Sequence, residues 1–371
     1  LFLILPVFAV HAATIPGGGD LTLVGLAIGA YGLTQACLQI AYGAASDRFG
    51  RKPVIVFGLV LFVLGSVVAA LADGIHMIIV GRVLQGAGAI SAAVTALAAD
   101  LTRDQHRTKV MAMIGSSIGL VFALSMVAAP LLYAAVGMDG IFWLTAVLAA
   151  GAIGVLLWAV PVAPPVPRAT GRLIDVLRDG QLMRLNFGVF ALHLIQTTMW
   201  VMVPSALVSG GGLPVPEHWK VYLPAVLLSF VVMVPAVIVA ERHDKLKPVF
   251  NAAIVLLAVV QIGLWLFGDG LIPLALLLTL FFISFNVLEA TQPSWISRIA
   301  PPGSKGTALG VYNTLQSIGL FLGGVLGGWL GQTFGPAAVS LSCAALALLW
   351  LALASTMNPP PLRAAPAGAP R

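Results

Sequence analysis

Long apolar runs separated by short polar connections make up almost the whole of this chain. Most of the runs reach the length of about 20 residues with which an α-helix crosses the hydrocarbon of a bilayer. Because unpaired backbone groups are costly in lipid, such runs predict membrane-spanning helices. Twelve runs fit this pattern: 1–15, 21–42, 54–72, 77–100, 110–136, 141–160, 185–208, 219–240, 249–268, 271–295, 307–334 and 336–356. We interpret the first as an incomplete span.

Composition supports the same interpretation and excludes soluble classes of protein. Only 9% of the residues are charged and the mean hydropathy is +1.03, whereas soluble domains contain about 25% charged residues. The net charge of +6 would suit nucleic-acid binding, but the position of the cations explains it better. Of the 19 Lys and Arg residues, all except Lys220 and Arg82 fall on one side of the predicted spans. That bias assigns this side, with both termini, to the cytoplasm.

The chain divides into two halves of six predicted spans. Residues 1–160 form the first half and residues 185–357 the second. Between them, residues 161–184 are a linker in which 172–178 alternates apolar and charged positions like a short interfacial helix. The Pro- and Ala-rich tail, 358–371, predicts disorder. Two such halves are a known plan of secondary transporters.

Two polar motifs interrupt the apolar pattern and point to a family. The stretch from Gly43 to Lys52, with Asp47-Arg48-Phe49-Gly50-Arg51-Lys52, resembles the major facilitator superfamily signature Gly-x-Leu-Ala-Asp-Arg-x-Gly-Arg-Lys. The stretch from Arg82 to Gly88 resembles the second motif of that family, Arg-x-x-Gln-Gly-x-Gly. The resemblance implies an all-α membrane protein with twelve transmembrane helices arranged as two six-helix bundles.

A narrower resemblance involves the bacterial drug:proton antiporters of twelve spans, and most closely their YajR-like branch. The stretches 5–9, 30–35 and 285–290 carry it. It implies a monomer in the inner membrane of a bacterium that exports a small amphipathic or drug-like compound by proton antiport. The proton gradient would drive export without a cofactor, nucleic acid or enzymatic reaction.

One departure from the family pattern leaves other functions open. The fifth span carries Ala129-Pro130 where family antiporters usually carry Gly-Pro. A uniporter or symporter for a sugar-like or other small polar solute is therefore the first alternative. The second is a non-transporting membrane sensor built on the same fold.

The resemblance also implies a conformational latch at the 43–53 turn, formed by Asp47, Arg51 and Asp100 with Gly43 and Gly50. Asp47 would face the start of the eleventh span, 303–307, where unpaired N–H groups attract a carboxylate. This contact would join the halves on the cytoplasmic side. The alternative is that these are ordinary loop charges that set the membrane topology.

Three residues inside predicted spans could bind or exchange protons. Glu289 is the only carboxylate well inside a span of the second half, and low dielectric favours its protonated form. His193 lies in the same half, and an imidazole exchanges protons near neutral pH. Arg82 is the only cation within a span and could bind an anion or tune a proton carrier. The alternatives are a packed, hydrogen-bonded His193 and an Arg82 that reaches the outer surface.

A cavity for the substrate is predicted from polar and aromatic residues within the spans, namely Gln35, Gln39, Gln196, Trp200 and Asn286. Glycines 323, 324, 327, 328 and 331 of the eleventh span indicate close helix packing. The sequence contains no phosphate-binding loop and no His/Cys cluster with metal-ligand spacing, so neither ATP nor a metal is expected.

Overall fold

A computed structural model describes residues 2–88, 90–161, 173–301 and 304–359. All regular structure in these ranges is helical. Within the helices, the description covers only the backbone of Asp47, Asp104, Gln105, Arg107, Thr108, Lys109, Met111, Ala112, Gly115, Ser116, Arg242 and Lys305.

Twelve α-helices follow one another in this part of the chain, with a 3₁₀ turn, Val215–Glu217, before the ninth. Their bounds are α1 Leu5–Ala12, α2 Leu21–Phe49, α3 Arg51–Ala70, α4 Ile75–Ala87, α5 Ser91–Asp100, α6 Asp104–Trp158, α7 Leu173–Arg178, α8 Gly180–Ser209, α9 Trp219–Arg242, α10 Leu246–Phe267, α11 Leu271–Ile299 and α12 Lys305–Ser355.

The described residues form nine helical stretches that are long and apolar enough to cross a membrane. Two of these stretches, α6 and α12, each consist of two helical segments. They are interrupted at Gly137 and at Gly335, where φ is positive and therefore outside the range of a right-handed helix. Each glycine separates two spans, as the breaks predicted at 136–141 and 334–336 require. The all-helical membrane fold is confirmed. The count of twelve spans stays a prediction, because α1 has only 8 residues.

The predicted 43–53 turn is much shorter in the structure than in the sequence interpretation. Helix α2 continues through the polar stretch to Phe49, and α3 begins at Arg51. Gly50 alone lies between them, with φ +93°, a conformation that residues with a Cβ rarely adopt. The motif charges therefore lie on helix ends, since an α-helix can continue into water once it has left the apolar layer.

The predicted linker is also corrected in one respect. Helix α7 matches the short helix expected at 172–178, while residues 162–172 lie outside the described part. Helix α8 begins at Gly180 rather than at 185, because the Asp179 carboxylate caps the backbone N–H groups of Gln181 and Leu182. The tail predicted to be disordered lies outside the description from residue 360 onward.

Large apolar side chains cover much of the outer surface, as a lipid-facing protein requires. Ile272, Val231 and Phe57 are each more than 60% exposed. The interior holds a second apolar set, which includes Phe8, Phe142 and Phe250 at 1% exposure or less. Helices that are apolar on both faces fit a bundle within a membrane.

Helices α2 and α12 join the two halves, and they separate toward one end. We call the end that carries Gly50 and Arg298 the basic end. At the opposite end, the Leu21 backbone N–H donates to Gln332 Oε1, at 2.9 Å. The two backbones also approach so closely here that only glycine fits. A Cβ added to Gly25 would lie 1.9 Å from the Gly324 carbonyl oxygen, and one added to Gly32 would lie 2.6 Å from the Ser317 carbonyl oxygen.

Toward the basic end this contact is lost. A Cβ on Gly43, Gly306 or Gly310 would have no atom within 4 Å. The backbones of α2 and α12 are therefore in close contact at the opposite end and show no such contact at these glycines near the basic end. The close packing expected of the α12 glycines is confirmed, since Gly323 contacts Leu194 of α8 as closely as Gly324 contacts α2.

Candidate functional site

Three polar side chains meet in the second half, well inside their helices. His193 lies on α8, Glu289 on α11 and Gln316 on α12. At 1.5 Å per residue, they lie about 20, 15 and 17 Å from the basic ends of their helices. Two of the residues predicted for proton exchange are therefore neighbours at a common depth.

Hydrogen bonds to both ring nitrogens orient the imidazole of His193. Its Nδ1 atom lies 3.0 Å from the carbonyl oxygen of Val189, and its Nε2 atom lies 2.7 Å from Gln316 Nε2. A carbonyl oxygen can only accept, so Nδ1 carries a hydrogen. In the neutral ring, Nε2 then has a free lone pair and accepts from the amide N–H of Gln316.

The carboxylate of Glu289 faces the same ring nitrogen without bonding to it. Glu289 Oε2 lies 3.6 Å from His193 Nε2, beyond ordinary hydrogen-bond length. This oxygen is buried without a hydrogen-bond partner, although the side chain as a whole is 37% exposed. The carboxylate thus has one oxygen turned toward the imidazole, while part of its side chain is not covered by protein.

Aromatic rings surround this polar group. The ring of Phe285 lies 5.8 Å from that of His193, and it also packs against Phe281. Phe122 of α6 reaches across from the first half to within 6.1 Å of the Phe285 ring. These three rings are buried, so the polar group packs against an apolar aromatic cluster of the interior.

The third residue predicted for proton coupling, Arg82, lies in the first half and is enclosed. It is 1% exposed, so the alternative in which it reaches the outer surface is wrong. Its Nη1 donates to Gln85 Oε1 at 2.6 Å and its Nε donates to the Ala27 carbonyl at 3.3 Å. The guanidinium also lies over the Tyr31 ring, 5.0 Å from its centroid.

The network continues from Arg82 through neutral groups. Gln85 Nε2 donates to Ser66 Oγ at 2.8 Å, and Thr145 lies 3.3 Å from the same oxygen. Among the described residues, no carboxylate pairs with Arg82. Its Nη2 group has no hydrogen-bond partner. Since arginine is always charged, this site holds a fixed positive charge.

At the basic end, each half contains an ion pair between an arginine and a carboxylate. Arg51 Nε lies 2.8 Å from Asp100 Oδ2, and its Nη1 donates to Ser46 Oγ at 2.7 Å. In the second half, Arg298 pairs with Glu241, which also accepts from Ser294 Oγ at 2.8 Å. The side chain of Asp47, together with Gly303, lies outside the described residues. The latch between the halves therefore stays a prediction.

The residues predicted to line the cavity occupy different environments. Gln35 is half-buried, whereas Gln39 is 2% exposed and its amide has no hydrogen-bond partner. Gln196 is buried, and Asn286 donates to Ser229 Oγ at 2.7 Å.

The two tryptophans are likewise enclosed. Trp200 packs between Tyr222 and Phe282. Trp295, which resembles an interface anchor by its position near a span end, is fully buried against Phe250. Trp295 is therefore not an anchor at the membrane interface, because α10 covers this end of α11.

Sequence reasoning missed the role of Gln316 and of the partners of Arg82, namely Gln85, Ser66 and Thr145. A signal for Gln316 existed but was weak, since it is one of three amides in the apolar run 307–334, with Asn313 and Gln332. The Ser66 and Thr145 hydroxyls carried no signal, because these residues are ordinary in membrane helices.

The sequence matches the family model described as Major Facilitator Superfamily over residues 1–324 and 187–371. It is 45% identical over 367 residues to the Inner membrane transport protein YajR of Escherichia coli, which covers 97% of this chain and 80% of that protein. It is 27% identical over 330 residues to the Multidrug resistance protein MdtH of Yersinia enterocolitica, with coverage of 85% and 79%.

Solved structures share the fold at low identity. The human organic anion transporter MFSD10 superposes with a TM-score of 0.73 at 19% identity, covering 95% of both chains. An auto-inhibited peptide transporter of the POT family also gives a TM-score of 0.73, at 12% identity and with coverage of 99% and 96%. At these identities the likeness concerns the fold alone.

Proposed function

The chain belongs to the Major Facilitator Superfamily, a family of membrane transporters and not of enzymes, and from this premise we propose that it exports a small amphipathic compound by proton antiport. The observation that carries the proposal is the 3.6 Å approach of His193 Nε2 to Glu289 Oε2, a carboxylate whose side chain is only partly covered by protein. The similarity to a multidrug resistance protein supports a drug-like substrate.

The proposed cycle follows from the chemistry of this site. In the state open to the basic end, Glu289 would be deprotonated and the compound would enter between the halves beside it. After the halves rock to the other state, protons from outside occupy Glu289 and His193 and favour release. The protonated protein then returns, and release of the protons at the basic end regenerates the starting state and completes the exchange. One proton moved across 100 mV supplies about 2.3 kcal/mol, or roughly 50-fold accumulation.

The topology that we propose is the one the cations indicate. Residues 1–160 and 185–357 would form two bundles of six spans, with both termini in the cytoplasm and the basic end facing it. The chain would act as a monomer in a bacterial inner membrane, with protons, lipid and substrate as its partners. In the outward-open state, Asp47 would contact the start of α12 and join the halves at the basic end.

The test uses purified protein in liposomes that contain a pH-sensitive dye. Candidate drugs and sugars are added, and proton movement and substrate flux are recorded together. Glu289→Gln is compared with Glu217→Gln, a control whose exposed carboxylate pairs with Lys220 outside the site. We expect a drug-dependent proton signal in the wild type and in Glu217→Gln, and its loss in Glu289→Gln.

Each other outcome contradicts the proposal in a defined way. Flux without a proton signal would assign the chain to the uniporters. Protons and substrate moving in the same direction would make it a symporter. Binding without flux for every compound would identify a membrane sensor.

A further inference from the structure

Gln316 is a neighbour of the imidazole on another helix, and no sequence motif identifies it. We propose that Gln316 is a positioning residue for proton coupling: its amide N–H holds the unprotonated Nε2 of His193, and protonation transfers that nitrogen from Gln316 to Glu289. This inference rests on the proposed function, because it assumes that His193 and Glu289 exchange protons.

The number of hydrogens on the ring decides which neighbour is bound. Nδ1 keeps its hydrogen in both forms, because the Val189 carbonyl lies 3.0 Å away and can only accept. In the neutral form, Nε2 accepts from Gln316 at 2.7 Å. Glu289, an acceptor at 3.6 Å, has nothing to accept from this nitrogen.

Protonation reverses this preference. Nε2 then carries a hydrogen that points at the amide N–H of Gln316, so two donors face each other. An approach of about 0.8 Å by the Glu289 carboxylate would form a charge-assisted bond of about 2.8 Å, which is stronger than a bond between neutral groups. Glu289 Oε2 is buried without another hydrogen-bond partner, so no described group competes for it.

The position of Gln316 couples this exchange to the movement of the halves. Its neighbour Ser317 is close to Gly32 of α2. A Cβ added to Gly310 or Gly306, nearer the basic end, would have no atom within 4 Å. The switch thus lies where α2 and α12 begin to separate. Loss of the bond to His193 would remove one polar contact between α12 and α8 at this level.

Other titratable groups of the surrounding helices have contacts of their own. Tyr312 of α12 is close enough to Glu289 to interact with it electrostatically. His11 of α1 contacts Tyr133, and Tyr31 of α2 contacts Arg82. The groups that act on His193 in the described part are therefore Glu289 directly and Tyr312 through Glu289.

The experiment is a pH titration of ¹⁵N-histidine-labelled protein in lipid nanodiscs, followed by NMR. The ring nitrogen shifts give both the tautomer and the fraction protonated. His193→Gln identifies the signal among the six histidines. In the wild type we expect the neutral ring to carry its hydrogen on Nδ1. In Gln316→Leu the titration midpoint should rise by about 0.5 to 1 pH unit, because the neutral ring loses its hydrogen bond.

Three further variants define the contact. Gln261→Leu removes another buried glutamine, which contacts Met199 Sδ on α8, and should leave the midpoint unchanged. Gln316→Glu keeps the side-chain shape and should raise the midpoint further than Gln316→Leu, so the test survives if the leucine variant does not fold. Adding Glu289→Gln to Gln316→Leu should lower the midpoint below that of Gln316→Leu alone, because the protonated ring loses its negatively charged acceptor.

An unchanged midpoint in both Gln316 variants would overturn the inference, as would an equal rise in Gln261→Leu. The titration needs no substrate and no gradient, so it can fail while the liposome assay shows antiport. Conversely, a shifted midpoint without substrate-dependent proton movement would leave the switch intact and refute the proposed function.

Discussion

The two halves of this transporter bury their polar groups in opposite ways. In the first half, Arg82 is 1% exposed and lies among neutral acceptors and the ring of Tyr31. In the second half, Glu289 is 37% exposed and faces His193. A guanidinium keeps its proton at any physiological pH, whereas a carboxylate and an imidazole can each release one. Of these two buried sites, only the second contains groups that can release a proton near neutral pH.

The ion pairs at the basic end, unlike the buried sites, are similar in the two halves. Arg51 with Asp100 and Glu241 with Arg298 place an acid and an arginine at corresponding levels of the two halves, each with a serine hydroxyl nearby. The repeat is thus kept at the membrane surface and lost at mid-depth. The ion pairs near the surface are of the same type in both halves, whereas the buried sites contain different ionisable groups.

The largest effect is expected where α12 joins the halves. A Cβ on Gly324 would lie 2.2 Å from the Gly25 carbonyl oxygen, so Gly324→Leu should force α2 and α12 apart and reduce substrate flux about 100-fold or more. Gly151→Leu, on an exposed part of α6 with free space, is the control. Labelling of Gly310→Cys from the basic end should also decrease, since the variant disfavours the observed state. Normal flux would show that this contact is not needed for transport.

Next in size is the effect of removing the imidazole. In the wild type, the occupancy of a titrating group changes up to tenfold per pH unit away from its midpoint, and flux should follow. His193→Asn should flatten this dependence to less than about twofold per unit, because the exchangeable ring is gone. His76→Asn, outside the site and exposed, should keep the wild-type profile. A steep profile in His193→Asn would assign the titration to another group.

The fixed charge of the first half leads to a prediction about stability. Gln85→Leu removes an acceptor from the buried guanidinium and should lower the free energy of unfolding by about 2 kcal/mol. Adding Arg82→Met should recover part of the loss, because the charge that needs the acceptor is gone. Thermal unfolding in detergent measures both variants. Additive losses in the double variant would mean that the two residues do not interact.

The smallest effect is expected at the basic end. Asp100→Asn should destabilise the protein by about 1 kcal/mol or less, since partly exposed ion pairs contribute little. The loss should shrink at high salt, which screens charges near water. The same measurement on Glu241→Gln should give a similar value if the two pairs are equivalent. A loss several times larger in either half would identify that pair as a structural support.

Much of the fold was predictable because a helix inside a membrane must consist almost entirely of apolar residues. The apolar runs predicted the helices, and the breaks at Gly137 and Gly335 fell where the sequence placed them. The 43–53 stretch was misinterpreted as a turn, because polarity indicates where a helix leaves lipid and not where it ends. Gly50, with its positive φ, marks the true end of α2.

The candidate site was predictable only in part. Glu289, His193 and Arg82 are conspicuous because charged and ionisable groups are costly in lipid. Their neighbours are not. Gln316 is 123 residues from His193 along the chain, and the contact depends on how α12 packs against α8. Residue type cannot reveal such a distance.

The sequence by itself determined the helical membrane fold, the family and the short list of ionisable groups, since each follows from the cost of placing polar atoms in hydrocarbon. Only the tertiary structure decided which of those groups meet. It enclosed Arg82 among neutral acceptors, set Glu289 beside His193, and placed Gln316 between the imidazole and the point where the halves separate. The physical reason is that partners at mid-membrane are chosen by helix packing, which depends on close contacts of small residues such as Gly319 and Gly323 with α8.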